Sequence, residues 1–169
     1  FVLRNAFGPR ILRCGYRLDR GNRWWPAQVL LNEKDITNVP TDFSQHPNAD
    51  LEVLFTQHPT RIIGSVTHPD GRPAAGAWVF VAAEDPALRQ PWATTSHVVR
   101  ADAGGRFQIV TLPGRYVARA FPPHTLVSER HASRHIAKIG HGAQPLELSE
   151  REQKAITLTV EAQSNPVKR

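Results

Sequence analysis

The stretch Ile63-Gly64-Ser65-Val66-Thr67-His68-Pro69-Asp70-Gly71-Arg72-Pro73-Ala74-Ala75-Gly76-Ala77-Trp78-Val79 decides the fold. Its two ends alternate with period two. Ile62, Gly64 and Val66 oppose Ile63, Ser65 and Thr67, while Trp78, Phe80 and Ala82 oppose Val79 and Val81. That period puts alternate side chains on opposite faces, as a strand requires. Between the runs, Pro69 presets φ early in a turn and Asp70-Gly71 supplies the positive φ that closes it. The stretch predicts strand, tight turn, strand.

The same grammar continues on both sides. Asp102-Ala103-Gly104-Gly105 leads into Phe107, Ile109 and Thr111, and Leu112-Pro113-Gly114 reverses the chain into Tyr116, Ala118 and Ala120. Ile156, Leu158 and Val160 close the set. Fourteen prolines and eleven glycines punctuate the chain, so the runs between them stay short. Many short strands with turn signals between them read as an all-β sandwich or barrel. Only residues 125–139 have helical potential, as a decorated crossover between the strands at Tyr116 and Ile156. The predicted core is Phe80, Phe107, Ile109, Tyr116, Ile156 and Leu158. Gly71 is expected at positive φ, and Gly114 is expected to allow the second reversal.

The chain has 169 residues, enough for one or two domains with a real core. The formal net charge is +6, carried mostly by arginines scattered from Arg4 to Arg119. With no compact basic run and no recognition motif, they read as a solvated surface and not as a nucleic-acid site. The single cysteine, Cys14, excludes an intrachain disulfide framework and a Cys-based zinc site; it reads as a buried, inert thiol. No run has the apolar length of a membrane span, and no secretory signal pattern opens the chain. The first residue is Phe1 and there is no Met, so the N-terminus reads as a processed end, a trimmed end or merely the first residue of this stretch.

An internal repeat organises these runs. Phe1 to Cys14 aligns without gaps on Phe107 to Ala120, pairing Phe1 with Phe107, Leu3 with Ile109, Gly8 with Gly114, Ile11 with Val117 and Arg13 with Arg119. Leu51-Glu52-Val53-Leu54-Phe55-Thr56 is similar to Ala155-Ile156-Thr157-Leu158-Thr159-Val160 at nearly the same offset. A repeat about a hundred residues long is a whole small domain. On this reading residues 1–57 are the C-terminal half of a first β module, truncated upstream. Residues 60–162 are a complete second module, and residues 163–169 are a tail. A half module leaves an apolar face and a strand edge uncovered. Upstream sequence, the second module or another copy of the chain is expected to cover them.

The second module resembles the carboxypeptidase regulatory-like domains. In that family a G-x-V strand leads to a D-G-x-P turn and a G-A-x-V strand, as at Gly64 to Val66, Asp70 to Pro73 and Gly76 to Val79. Ala101-Asp102-Ala103-Gly104-Gly105-Arg106-Phe107 followed by Leu112-Pro113-Gly114-Arg115-Tyr116 is similar to its second signature, T-D-x-x-G-x-F and L-P-P-G-x-Y, with one Pro missing. Residues Trp25 to Pro40, reading WPAQVLLNEKDITNVP, resemble a segment that precedes such modules in bacterial repeat proteins. The resemblance implies an antiparallel, Greek-key-type, seven-stranded β-sandwich of prealbumin (transthyretin-like) type, near the carbohydrate-binding-like folds. It also implies an exported bacterial protein, periplasmic, secreted or on the cell surface. It implies no peptidase activity, because the fold hosts many functions.

Residues with chemical potential are few. His131 and His135 have metal-ligand spacing on a helix, with His124 and His141 nearby. Arg130 and Arg134 flank the pair, and the Glu of a metalloprotease motif is missing. The chain lacks the Tyr-Arg-Gly-Ser tail of the transthyretin-like hydrolases, since it ends Val167-Lys168-Arg169. Intradiol dioxygenases need two Tyr and two His on iron, but one of the two tyrosines here, Tyr116, belongs to a strand signature. No nucleophile elbow, P-loop or dinucleotide fingerprint is present. The ligand-binding candidates are Trp24, Trp25 and Trp92, since exposed Trp stacks well on sugars or partners. Trp24 and Trp25 are adjacent, so both cannot face one core. The sequence thus points to a non-catalytic structural or interaction module of a larger exported protein, with no cofactor. Its expected partners are the other domains of that protein, with a glycan or a protein as a further one. A carbohydrate-binding module is the alternative, and a transthyretin-like hydrolase ranks below it.

Overall fold

The alternating runs fold as strands in a computed structural model of the chain, which describes residues 8–13, 24–89, 93–125, 139 and 142–160. Two compact units result, Phe1–Pro59 and Thr60–Arg169. Among the described residues there is no α-helix, only three short 3-10 turns. Residues 126–138, most of the stretch read as potentially helical, lie outside the described residues, as does Cys14.

The first unit contains β1 (Pro9–Arg10), β2 (Trp25–Leu31), β3 (Lys34–Asp35), β4 (Thr41–Asp42) and β5 (Leu51–Thr56). Asn32 and Glu33 join β2 to β3 with φ of 47° and 66°. Two successive positive φ values twist a hairpin in the same sense as its strands. The sheet order is β3-β2-β5, and β1 pairs with β4. Val29, Leu31 and Ile36 form the core, with Leu12, Phe43, Ala49 and Leu51 packed against it. β5 pairs antiparallel with β2.

The second unit is a β-sandwich. Its strands are β6 (Thr60–Thr67), β7 (Trp78–Ala83), β8 (His97–Arg100), β9 (Arg106–Thr111), β10 (Gly114–Phe121), β11 (Gln144–Leu148) and β12 (Gln153–Thr159). They form a four-stranded sheet, β11-β10-β7-β8, and a three-stranded sheet, β12-β6-β9. The inner faces bury Ile62, Val66, Val79, Val81, Phe107, Ile109, Tyr116, Leu146, Leu148, Ile156 and Leu158 together. One pairing departs from the antiparallel rule: β12 runs parallel to β6. The chain enters β12 from β11 in the opposite sheet, so β12 is not the return arm of a hairpin with β6. Leu51–Thr56 and the segment it resembles, which overlaps β12, therefore make different pairings.

All six expected core side chains are buried. Phe80 is buried in a second cluster, outside the sandwich interior. Val79 and Val81 point into the sandwich. Trp78, Phe80 and Ala82 build a second apolar cluster on the outer face with Val117 and Ile139. Phe121 meets Phe80 edge-on at 5.1 Å between ring centres. β7 is thus buried on both faces. The turns behave as read, with φ of 82° at Gly71 and 146° at Gly114. Gly71 N–H donates to His68 O at 2.9 Å, and His68 N–H donates to Arg72 O at 2.8 Å.

Candidate functional site

The aromatic candidates fall on the first unit where they are described. Trp24 is 50% exposed, and Trp25 is half-buried at the start of β2. The β2–β5 register shifts between Pro26 and Gln28. This bulge at Ala27 places Pro26, and not Ala27, opposite Phe55, which is 44% exposed. Trp92, His131, His135 and His141 lie outside the described residues. Among the described residues, no group of three or more His, Cys, Asp or Glu side chains is gathered that could hold a metal ion.

The structure does assemble a polar chain that the sequence reading did not single out. His97 opens β8, Thr111 ends β9 and Tyr116 lies near the start of β10. His97 Nε2 lies 2.8 Å from Thr111 Oγ1. Thr111 Oγ1 lies 3.0 Å from Tyr116 Oη. The Tyr116 hydroxyl donates to Leu112 O at 2.7 Å. β8 and β9 belong to opposite sheets, so the His97–Thr111 bond fastens the two sheets at one end. The tyrosine reaching back to a carbonyl a few residues upstream is a recurrent corner device of β-sandwiches.

Burial sets the protonation of both ends. Loss of solvent pushes His97 down to about 4, against a smaller upward pull from a backbone hydrogen bond at Thr94. Loss of solvent pushes Tyr116 up to about 12, only partly offset by its bonds to Thr111 and Leu112. Both groups are neutral at physiological pH. A histidine beside a hydroxyl is the pairing of an activated nucleophile. Here Thr111 and Tyr116 are buried at the sandwich seam. Similar use is made of Arg89, which is buried and donates to Ala83 O at 2.7 Å and Glu84 O at 2.6 Å. The Thr60 hydroxyl donates to Ser149 O at 3.0 Å.

His97 was hard to find because His97-Val98-Val99-Arg100 reads only as a short strand. The available signal was Tyr116 after Leu112-Pro113-Gly114, which predicts a corner bond but not its imidazole neighbour.

No protein-family model and no curated protein matches the chain. Similar solved structures include a streptococcal ancillary pilin, at 12% identity over 60% of this chain and 32% of that one, TM-score 0.42. The major pilin subunit of Bacillus cereus matches at 11% identity over 81% and 56%, TM-score 0.37. A hydroxyquinol 1,2-dioxygenase from Pseudomonas putida matches at 14% identity over 60% and 56%, TM-score 0.34. The chain spans less than two thirds of each of these proteins. Likeness this slight says nothing about activity or partners.

Proposed function

We propose that the chain is a non-catalytic structural or interaction module of a larger exported bacterial protein, periplasmic, secreted or at the cell surface. One observation carries this reading: the buried polar side chains of the sandwich end on backbone carbonyls. Tyr116 on Leu112, Arg89 on Ala83 and Glu84, and Thr60 on Ser149 all tie strand ends together. Groups used in this way hold geometry and do not face a cleft. The second unit, residues 60–162, is in this reading a carboxypeptidase regulatory-like domain, supported by the Asp70-Gly71 turn and the Tyr116 corner. Residues 1–57 are the latter half of a preceding module. Neighbouring domains of the same protein are the partners.

The test is a turnover screen of the purified chain on acyl, peptide and purine-breakdown substrates, run beside His97→Asn. No turnover above buffer is expected. Turnover that His97→Asn abolishes while Tm is unchanged overturns the reading. A second reading, carbohydrate binding, is favoured by the half-exposed Trp24 alone. A glycan array probed with the chain and with Trp24→Ala separates the two.

A further inference from the structure

β8 is lightly held. It is four residues long, lies at the edge of its sheet and, among the described residues, pairs only with β7. In its lead-in, the buried hydroxyls of Thr95 and Ser96 have no hydrogen-bond partner. The start of the strand is fastened to the other sheet by the His97–Thr111 bond.

That fastening is exposed to acid, because among the described residues no carboxylate acts on the imidazole to offset a second proton. β7 carries no titratable side chain. β9 brings only Arg106, at its far end from Thr111. β10 brings Tyr116 with Arg115 and Arg119, and β8 itself brings Arg100. The connection from β7 to β8 brings Glu84, Asp85 and Arg89. Glu84 is paired with Arg115 at 2.8 Å. Asp85 accepts from Ala87 N–H at 2.9 Å, and Arg89 lies on two carbonyls. A proton arriving on His97 therefore creates a half-buried cation among described groups that are neutral, cationic or already engaged. Opening four edge residues returns that cation to water at far lower cost than unfolding the sandwich.

We propose that β8 is an acid-released edge strand: a proton on His97 detaches His97–Arg100 from β7 and bares the β7 edge. The strand so bared, Trp78–Ala83, is apolar along its whole length. An unpaired edge of that kind accepts an extended segment of another polypeptide by main-chain pairing.

Residue-resolved amide exchange on the full chain tests this. β11 is the internal control, being the other edge of the same sheet and free of histidine. After correction for intrinsic rates, β8 protection is expected to fall about tenfold or more between about pH 7.5 and about pH 5, with β11 unchanged. His97→Gln is expected to remove the pH dependence. Should that variant fail to fold, the comparison of β8 with β11 in the unaltered chain decides alone. If β8 keeps pace with β11 while the His97 ring protonates in place, the proposal is wrong.

Discussion

The Phe107 ring lies across Gly64. The two residues are directly opposed in the β6–β9 ladder, and Gly64 is also opposed to Ile156 on the other side. A Cβ on Gly64 would overlap the ring and approach Ile156 O to 2.9 Å. The glycine is therefore the seat of the aromatic ring in the middle of the three-stranded sheet, and the ring in turn shields the backbone where a side chain is missing.

Gly64→Ala is expected to force Phe107 out of its position and to destabilise the second unit by about 1–3 kcal/mol. Thermal unfolding measures the loss. An unchanged Tm would mean that the ring does not occupy the space over Gly64.

Phe107→Ala removes the ring and leaves a cavity between the sheets. The expected cost is about 3–5 kcal/mol, read from denaturant unfolding. A cost below about 1 kcal/mol would refute the placement of Phe107 in the core. Made together with Gly64→Ala, the two changes are expected to cost less than their sum, because the alanine methyl then no longer meets the ring and only the approach to Ile156 O remains.

How much of this was legible follows from what each residue reports. Gly71 and Gly114 were legible because a turn's φ requirement is local and Asp70-Gly71 or Pro113-Gly114 states it outright. Phe107, Ile109, Ile156 and Leu158 were legible because their strands bury one face. Phe80 was legible as a buried residue, but not that Val79 and Val81 face the sandwich interior while Trp78 and Phe80 face away from it. A second cluster behind the sheet buries the larger set, and covering by a distant segment leaves no trace in a two-residue period. The parallel β12–β6 pair and the bulge at Ala27 are properties of register, which alternation alone does not encode. His97 was missed for a related reason: its partners, Thr111 and Tyr116, become neighbours only when the two sheets close.

Trp24→Ala tests whether the exposed indole has a packing role. The side chain is half exposed, so the expected change in stability is within about 0.5 kcal/mol. A loss of several times that amount would identify Trp24 as part of the first unit's core and remove it from the ligand-binding candidates.

Tyr116→Phe keeps the ring and deletes the hydroxyl. Leu112 O loses its donor and Thr111 loses a partner in a buried setting. The expected cost is about 1–3 kcal/mol, with no change in secondary structure by far-UV circular dichroism. A neutral result would show that water replaces the hydroxyl and that the corner is not sealed.

His97 and Tyr116 together predict a domed dependence of stability on pH. In the folded chain His97 takes up its proton only near about 4, against 6.5 for the ordinary group. Between those values the unfolded chain binds the extra proton, so stability rises with pH there. The contribution is full above about 6.5, falls as the pH drops and levels off below about 4; its size is up to roughly 3 kcal/mol. Tyr116 acts at the other end. Its folded hydroxyl holds the proton to about 12, against 10.0 ordinarily. There the unfolded chain is the one that loses a proton first, so stability declines from about pH 10 to about pH 12. Denaturant midpoints measured across this range should form a plateau between the two slopes. His97→Gln should flatten the acid slope alone and Tyr116→Phe the alkaline slope alone. An acid slope that survives His97→Gln unaltered would assign it to other groups and leave His97 as an ordinary exposed imidazole.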